Sequence, residues 1–176
     1  FFMDALEVLM EEHEIILLAI GILNKSVSKL KNGGQVSSGF YDSFLDIVKN
    51  FADRCHHAKE ETIYFPMMRQ RDPGQDDVVS VLLDEHEKGR GFLGALGVAV
   101  GKNSSRDIVE NSEGYGQLLA LHIRKENLLF PDWMKMLSDG DKADLFERFE
   151  EIEERVIGKG KHEEYAQRIE GLRSKL

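Results

Sequence analysis

Four histidines of this 176-residue chain fall one to each of four amphipathic stretches: His13, His57, His86 and His122. Two of them are followed four residues later by a glutamate, His57 by Glu61 and His122 by Glu126. Residues four apart lie about 6 Å apart along one face of a helix, so such a pair can serve the same metal ion or pair of ions. Four imidazoles and two carboxylates in one core would cost several kcal/mol per unpaired charge unless cations or an extensive hydrogen-bond network compensated them. Two divalent ions supply that compensation. Glu61 and Glu126 are suited to bridge them, with His13 and His57 on one ion and His86 and His122 on the other, a pairing the sequence leaves open. With a bridging hydroxide the ligated pair carries roughly +1 charge and attracts small anionic or polarizable ligands. Mixed imidazole and carboxylate donors suit iron, manganese or zinc, and iron leads on ligand type.

The elements that must carry these groups are helical. Leu6, Leu9, Met10, His13, Ile16, Leu17, Ile20, Leu23 and Val27 repeat at three and four, which predicts a first helix over 4–31, ended by Asn32, Gly33 and Gly34. A second stripe (Phe40, Phe44, Ile47, Phe51, Ala58, Phe65) runs to about Gln70, before the turn signal Asp72, Pro73, Gly74. A third carries Val79, Leu82, Leu83, His86 and Leu96, and a fourth Tyr115, Leu119, His122, Leu129 and Trp133, closed by Ser138, Asp139 and Gly140. Short connections between four long helices predict an all-α, up-down-up-down antiparallel four-helix bundle over residues 1–140. Residues 141–176 are expected to form an additional C-terminal helical segment packed on or trailing from the bundle, against one end of it.

The chain matches itself. Leu9 to Glu14 reads like Leu82 to Glu87, and the pattern HxxxExxxFP occurs twice, as His57, Glu61, Phe65, Pro66 and as His122, Glu126, Phe130, Pro131. This repeat selects His57 and Glu61 over His56 and Glu60, which have the same spacing one residue earlier and read as solvent-facing or as outer partners. Glu12, Glu14, Glu85 and Glu87 read as a solvated surface, with an outer bond to the ligand histidines as the lesser alternative, and His162 as exposed in a polar tail. Cys55 reads as a small buried side chain. Gly89, Gly91, Gly94 and Gly97 suggest close helix packing, or room for a small ligand. The motifs HExxH of zinc proteases and ExxH of ferritin-like bundles are absent.

Composition narrows the class. A net charge of -9 argues against nucleic acid as a partner. The longest apolar run, Ile15 to Leu23, is about half a membrane span, so neither a membrane nor a leader is expected and the location reads as cytoplasmic. One cysteine fits a reducing compartment and excludes a cysteine-bound metal cluster within the chain.

The order His, HxxxE, His, HxxxE over about residues 4 to 137 resembles the hemerythrin-like, or HHE cation-binding, family. The resemblance implies a cytoplasmic non-haem di-iron protein, its two irons bridged by oxo or hydroxo, that binds or reacts with dioxygen, nitric oxide or peroxide in sensing, detoxification, stress response or iron handling. Oxygen-carrying members add a histidine four residues after the third-helix ligand, where this chain has Arg90. Four His and two Glu are more similar to the repair-of-iron-centres type, although those proteins also carry a cysteine-bearing N-terminal domain that is not among these residues. The F-box-linked, iron- and oxygen-sensing hemerythrin domain is a further relative in kind. The competing readings are a non-catalytic metal-binding regulator and a metal-free helical interaction protein, and the oligomeric state is open.

Overall fold

Asp4 starts the first helix. Its carboxylate accepts the Glu7 N–H, and the Glu7 side chain accepts the Asp4 N–H, so two of the free donors at the helix start satisfy each other's residues. The computed structural model describes residues 4–158 and 160–176. Helix α1 (Ala5–Lys31) ends at a turn in which Gly33 takes φ of 79°. Ser37 caps α2 (Ser38–Val48), which continues unbroken through two π-wound stretches, Lys49–His57 and Glu60–Tyr64, into α3 (Phe65–Arg71). Asp72 accepts the Gly74 N–H to form the expected turn, and α4 (Asp76–Gly101) follows. Ser104 caps α5 (Ser105–Lys135). Ser138, expected to close that helix, begins the next one: with Asp141 it forms the capping box of α6 (Asp139–Val156). Helix α7 (His162–Gly171) and a 3-10 turn complete the chain, and no strand occurs among the described residues. No described helix is long and apolar enough to cross a membrane.

Helix α5 packs along α4 and along α1, and the apolar stripes meet in two separate layers. One is built around Ile20, Phe44, Phe51, Leu96, Tyr115 and Leu119. The other is built around Leu9, Tyr64, Phe65, Leu82, Phe130 and Trp133. On each long helix the histidines lie between the residues given to these two layers, so a polar slab is enclosed above and below by close-packed aromatics. The C-terminal segment does not cap one end. Leu145 and Phe149 of α6 join one layer and Tyr165 and Ile169 of α7 the other, so the segment lies lengthwise over α1 and the second long helix. The α4 glycines are not sites of close packing throughout: a Cβ on Gly91 or Gly94 would meet nothing within 4 Å, whereas one on Gly89 or Gly97 would make ordinary contact with Tyr115 or Leu45.

Candidate metal centre

Within the polar slab two groups of side chains converge. His57, Glu60, His86 and His122 form one, and His13, His56, Glu60 and Glu126 the other, with donor atoms inside each group no more than 4.8 Å apart. Glu60 belongs to both. All seven residues are at most 5% exposed. Glu126 reaches His122 Nε2 at 3.0 Å with one oxygen and His13 Nε2 at 3.2 Å with the other. Glu60 stands opposite it, 3.3 Å from His56 Nε2 and 3.3 Å from His86 Nε2.

Four of the five imidazoles are oriented from outside. Nδ1 of His13 lies 2.6 Å from Asn127 Oδ1, His56 2.8 Å from Glu12, His86 2.7 Å from Glu61 and His122 2.8 Å from Glu85. Each Nδ1–H donates to its acceptor, which leaves the Nε2 lone pair facing inward. His86 and His122 then point their Nε2 atoms at each other across 2.9 Å. Two lone pairs at that distance repel unless a proton or a metal cation lies against them. His13 Nε2, both nitrogens of His57 and all four carboxylate oxygens of Glu60 and Glu126 are buried without a hydrogen-bond partner. Buried polar atoms are almost always paired, so a concentration of unpaired acceptors in one place fits cations.

Such donors belong to a known class: the family model described as the hemerythrin HHE cation binding domain matches residues 4–133. The chain belongs to the hemerythrin HHE cation-binding family. Uncharacterised proteins of Mycobacterium tuberculosis and Mycobacterium bovis are each 23% identical to it over 97% of this chain and 69% of their own length. No solved structure matches it.

In this HHE domain the structure brings together five of the six residues singled out by spacing: His13, His57, His86, His122 and Glu126. It does not bring Glu61 into either group. The Glu61 carboxylate is half-buried on the outer side of His86, where it also accepts from Arg90 at 2.6 Å. Glu60 takes the inner position, and His56, read from sequence as solvent-facing or an outer partner, is 1% exposed beside it. The cause is the winding of the second helix. The Phe65 N–H bonds the Glu60 carbonyl, an i to i+5 link, so one extra residue separates Glu60 from Phe65 compared with Glu126 and Phe130. Winding at more residues per turn also brings neighbours closer in angle, and both His56 and His57 face the centre.

The true repeat was present in the sequence in another form. His56, Lys59 and Glu60 match His122, Lys125 and Glu126 as HxxKE. Each lysine pairs with the glutamate that precedes the histidine of the neighbouring helix, Lys59 with Glu12 and Lys125 with Glu85. Glu12 and Glu85 are therefore not a solvated surface, being 0% and 15% exposed in their side chains. His162 is not free in solvent either, since its Nε2 lies 2.8 Å from Glu12 and 3.1 Å from Glu153.

Electrostatics separate the centre from this outer shell. Burial alone would lower His13, but Glu126 and Glu60 outweigh it and lift it to about 10. Burial likewise opposes His86, and Glu60 and Glu61 raise it to about 9. Burial, with His86 stacked 3.9 Å away, pushes His57 down to about 4. Without metal, protons on His13 and His86 must balance the carboxylates, and metal ions take over that role. Glu12, Cys55 and His162 also lie within ligand distance of one another, but there the cation is already present: Lys59 Nζ is 2.5 Å from Glu12 and fully buried. Burial holds the Cys55 thiol up at about 12, which keeps thiolate scarce.

Proposed function

We propose that this chain is a non-haem di-iron protein that binds or reacts with a small ligand such as dioxygen, nitric oxide or peroxide. The reading takes the four long helices as an up-down-up-down bundle. It assigns one metal to His57, His86 and His122, the other to His13 and His56, and makes Glu60 and Glu126 common to both. Iron held this way supplies redox-active, ligand-binding positions. The observation that supports it most is the set of inward Nε2 atoms and carboxylate oxygens left without partners at the meeting of the two groups.

The protein's own contribution is positioning and exclusion. Asn127, Glu12, Glu61 and Glu85 fix four ring orientations, which is how proteins align imidazoles before metal arrives. Tyr64, Phe65 and Phe130 close one side of the slab and keep bulk water from the carboxylates. The count of imidazoles bears on subtype. With His56 and His57 both inward, five surround the centre, one more than the four-His set of the repair-of-iron-centres type. His57, stacked on His86, stands in for the histidine that oxygen carriers place where this chain has Arg90.

The test is metal analysis of aerobically purified protein with its visible spectrum, followed by addition of oxygen and of nitric oxide to the reduced form. Two irons per chain, oxo-bridge absorption and a ligand-dependent spectral change are expected. Tight zinc alone with no spectral response would replace this reading with a metal-binding regulator. Failure of purified and reconstituted protein to hold any metal would overturn it.

A further inference from the structure

The duplicated halves carry the same outer unit but bury it unequally. In one, Glu12 accepts from His56 Nδ1 and from Lys59; in the other, Glu85 accepts from His122 Nδ1 and from Lys125. The side chains of Lys59 and Glu12 are 0% exposed, whereas Lys125 is 41% and Glu85 15% exposed. What covers the first unit is the C-terminal segment, which lies beyond the matched family region of residues 4–133. Glu153 of α6 approaches Lys59 Nζ to 3.6 Å, His162 of α7 reaches both Glu12 and Glu153, and the Phe149 ring lies 5.9 Å from Lys59 Nζ.

We infer that α6 and α7 make the two metal positions unequal, with His162 and Glu153 acting as positioning residues that lock the Glu12–Lys59 unit onto His56. The inference rests on the two-metal reading above. One Glu12 oxygen lies 2.8 Å from His56 Nδ1, and the other lies 2.5 Å from Lys59 Nζ and 2.8 Å from His162 Nε2, so positive or donor groups flank the carboxylate on both sides and oppose its turning away from the imidazole. Exclusion of water strengthens each of these bonds, because charges in a low-dielectric setting interact more strongly than the same charges in solvent. The Glu85–Lys125 unit keeps solvent access and is looser. The His13 and His56 position therefore binds metal more tightly than it would with the family region alone.

The experiment is a cobalt(II) titration of the full chain followed by visible absorption, with the bands lost in His13→Ala marking the position in question. His162→Leu and, separately, Glu153→Gln should weaken that equivalent about tenfold and shift its bands, as loss of outer-sphere partners does, while the other equivalent stays within about twofold. His162→Gln, which keeps a donor toward Glu12, should restore most of the affinity. Two unchanged equivalents with unchanged bands in His162→Leu and Glu153→Gln, accompanied only by a lower melting temperature, would overturn the inference and leave the segment as packing. Wild-type protein that takes up no cobalt would instead remove the two-metal reading, and this inference with it.

Discussion

The Phe65 backbone N–H bonds the carbonyl of Glu60, five residues back, and this link sets the register of the second long helix. In α5 the equivalent pair, Glu126 and Phe130, is four residues apart in ordinary α-helix. Glu60 therefore faces Glu126 across the slab, while Glu61 turns outward to His86 Nδ1 and Arg90.

Two substitutions separate these neighbours. Glu60→Ala removes a carboxylate common to both groups of donors, and the expected result is loss of both metals. Glu61→Ala removes only an outer acceptor of His86; metal content at saturation should stay at two per chain, with affinity lower by roughly 10- to 100-fold. Metal-to-protein ratios by elemental analysis check both. Equal loss in the two variants would show that the extra residue does not set the register.

The four helical stripes and four of the five inward histidines, His13, His57, His86 and His122, were legible because apolar spacing and His position reinforce one another along a uniform α-helix; His56 was not. Glu60 was not, because counting at 3.6 residues per turn puts Glu61 on the inner face, and only a local change of winding reverses the two. Glu12 and Lys59 were hidden for a different reason. Charged residues next to ligands count as solvent-facing in any periodicity argument, and their burial becomes affordable only because the segment from α6 onward closes over them as a pair. The twice-written HxxKE carried that information, since it places a lysine three residues after His56 and after His122, one turn along the same helical face, where each meets a buried or half-buried glutamate.

Lys59 and Lys125 should differ sharply in stability. Lys59→Met leaves Glu12 and Glu153 buried without their cation and should cost about 3–5 kcal/mol. Lys125→Met breaks a half-exposed pair and should cost no more than about 1 kcal/mol. Urea unfolding of the metal-free chain measures both without interference from metal binding. Similar losses at the two sites would mean that the cover provided by α6 and α7 does not exclude water.

Helix α4 can be stabilised at no steric cost. A methyl on Gly91 or Gly94 meets no heavy atom within 4 Å, and alanine in a helix interior is favoured over glycine by about 0.8–1 kcal/mol. Gly91→Ala and Gly94→Ala should each raise the melting temperature, and the effects should add to within about 0.5 kcal/mol if neither touches a shared neighbour. A fall in stability would point to a close approach at α4 by a second molecule.

Arg90 ties the outer side of the centre together. Its Nε donates to Asp53 at 2.8 Å and one terminal nitrogen to Glu61 at 2.6 Å, and through these carboxylates it reaches His57 and His86. Arg90 also borders a surface groove with Leu45, Asp53, Leu93 and Gly94, and Asp53 lies 3.6 Å from Nδ1 of His57, the most exposed of the seven inward residues. Arg90→Leu frees Glu61 from its second partner and should weaken metal at the His57, His86 and His122 position by about tenfold. Lysine does not rescue this arrangement, because an ammonium lacks the rigid fork that spans two carboxylates at once, so Arg90→Lys should fall closer to the leucine variant than to wild type. Chelator competition, monitored by loss of the metal's absorption, gives the affinities; a lysine variant indistinguishable from wild type would show that only the charge of Arg90 matters.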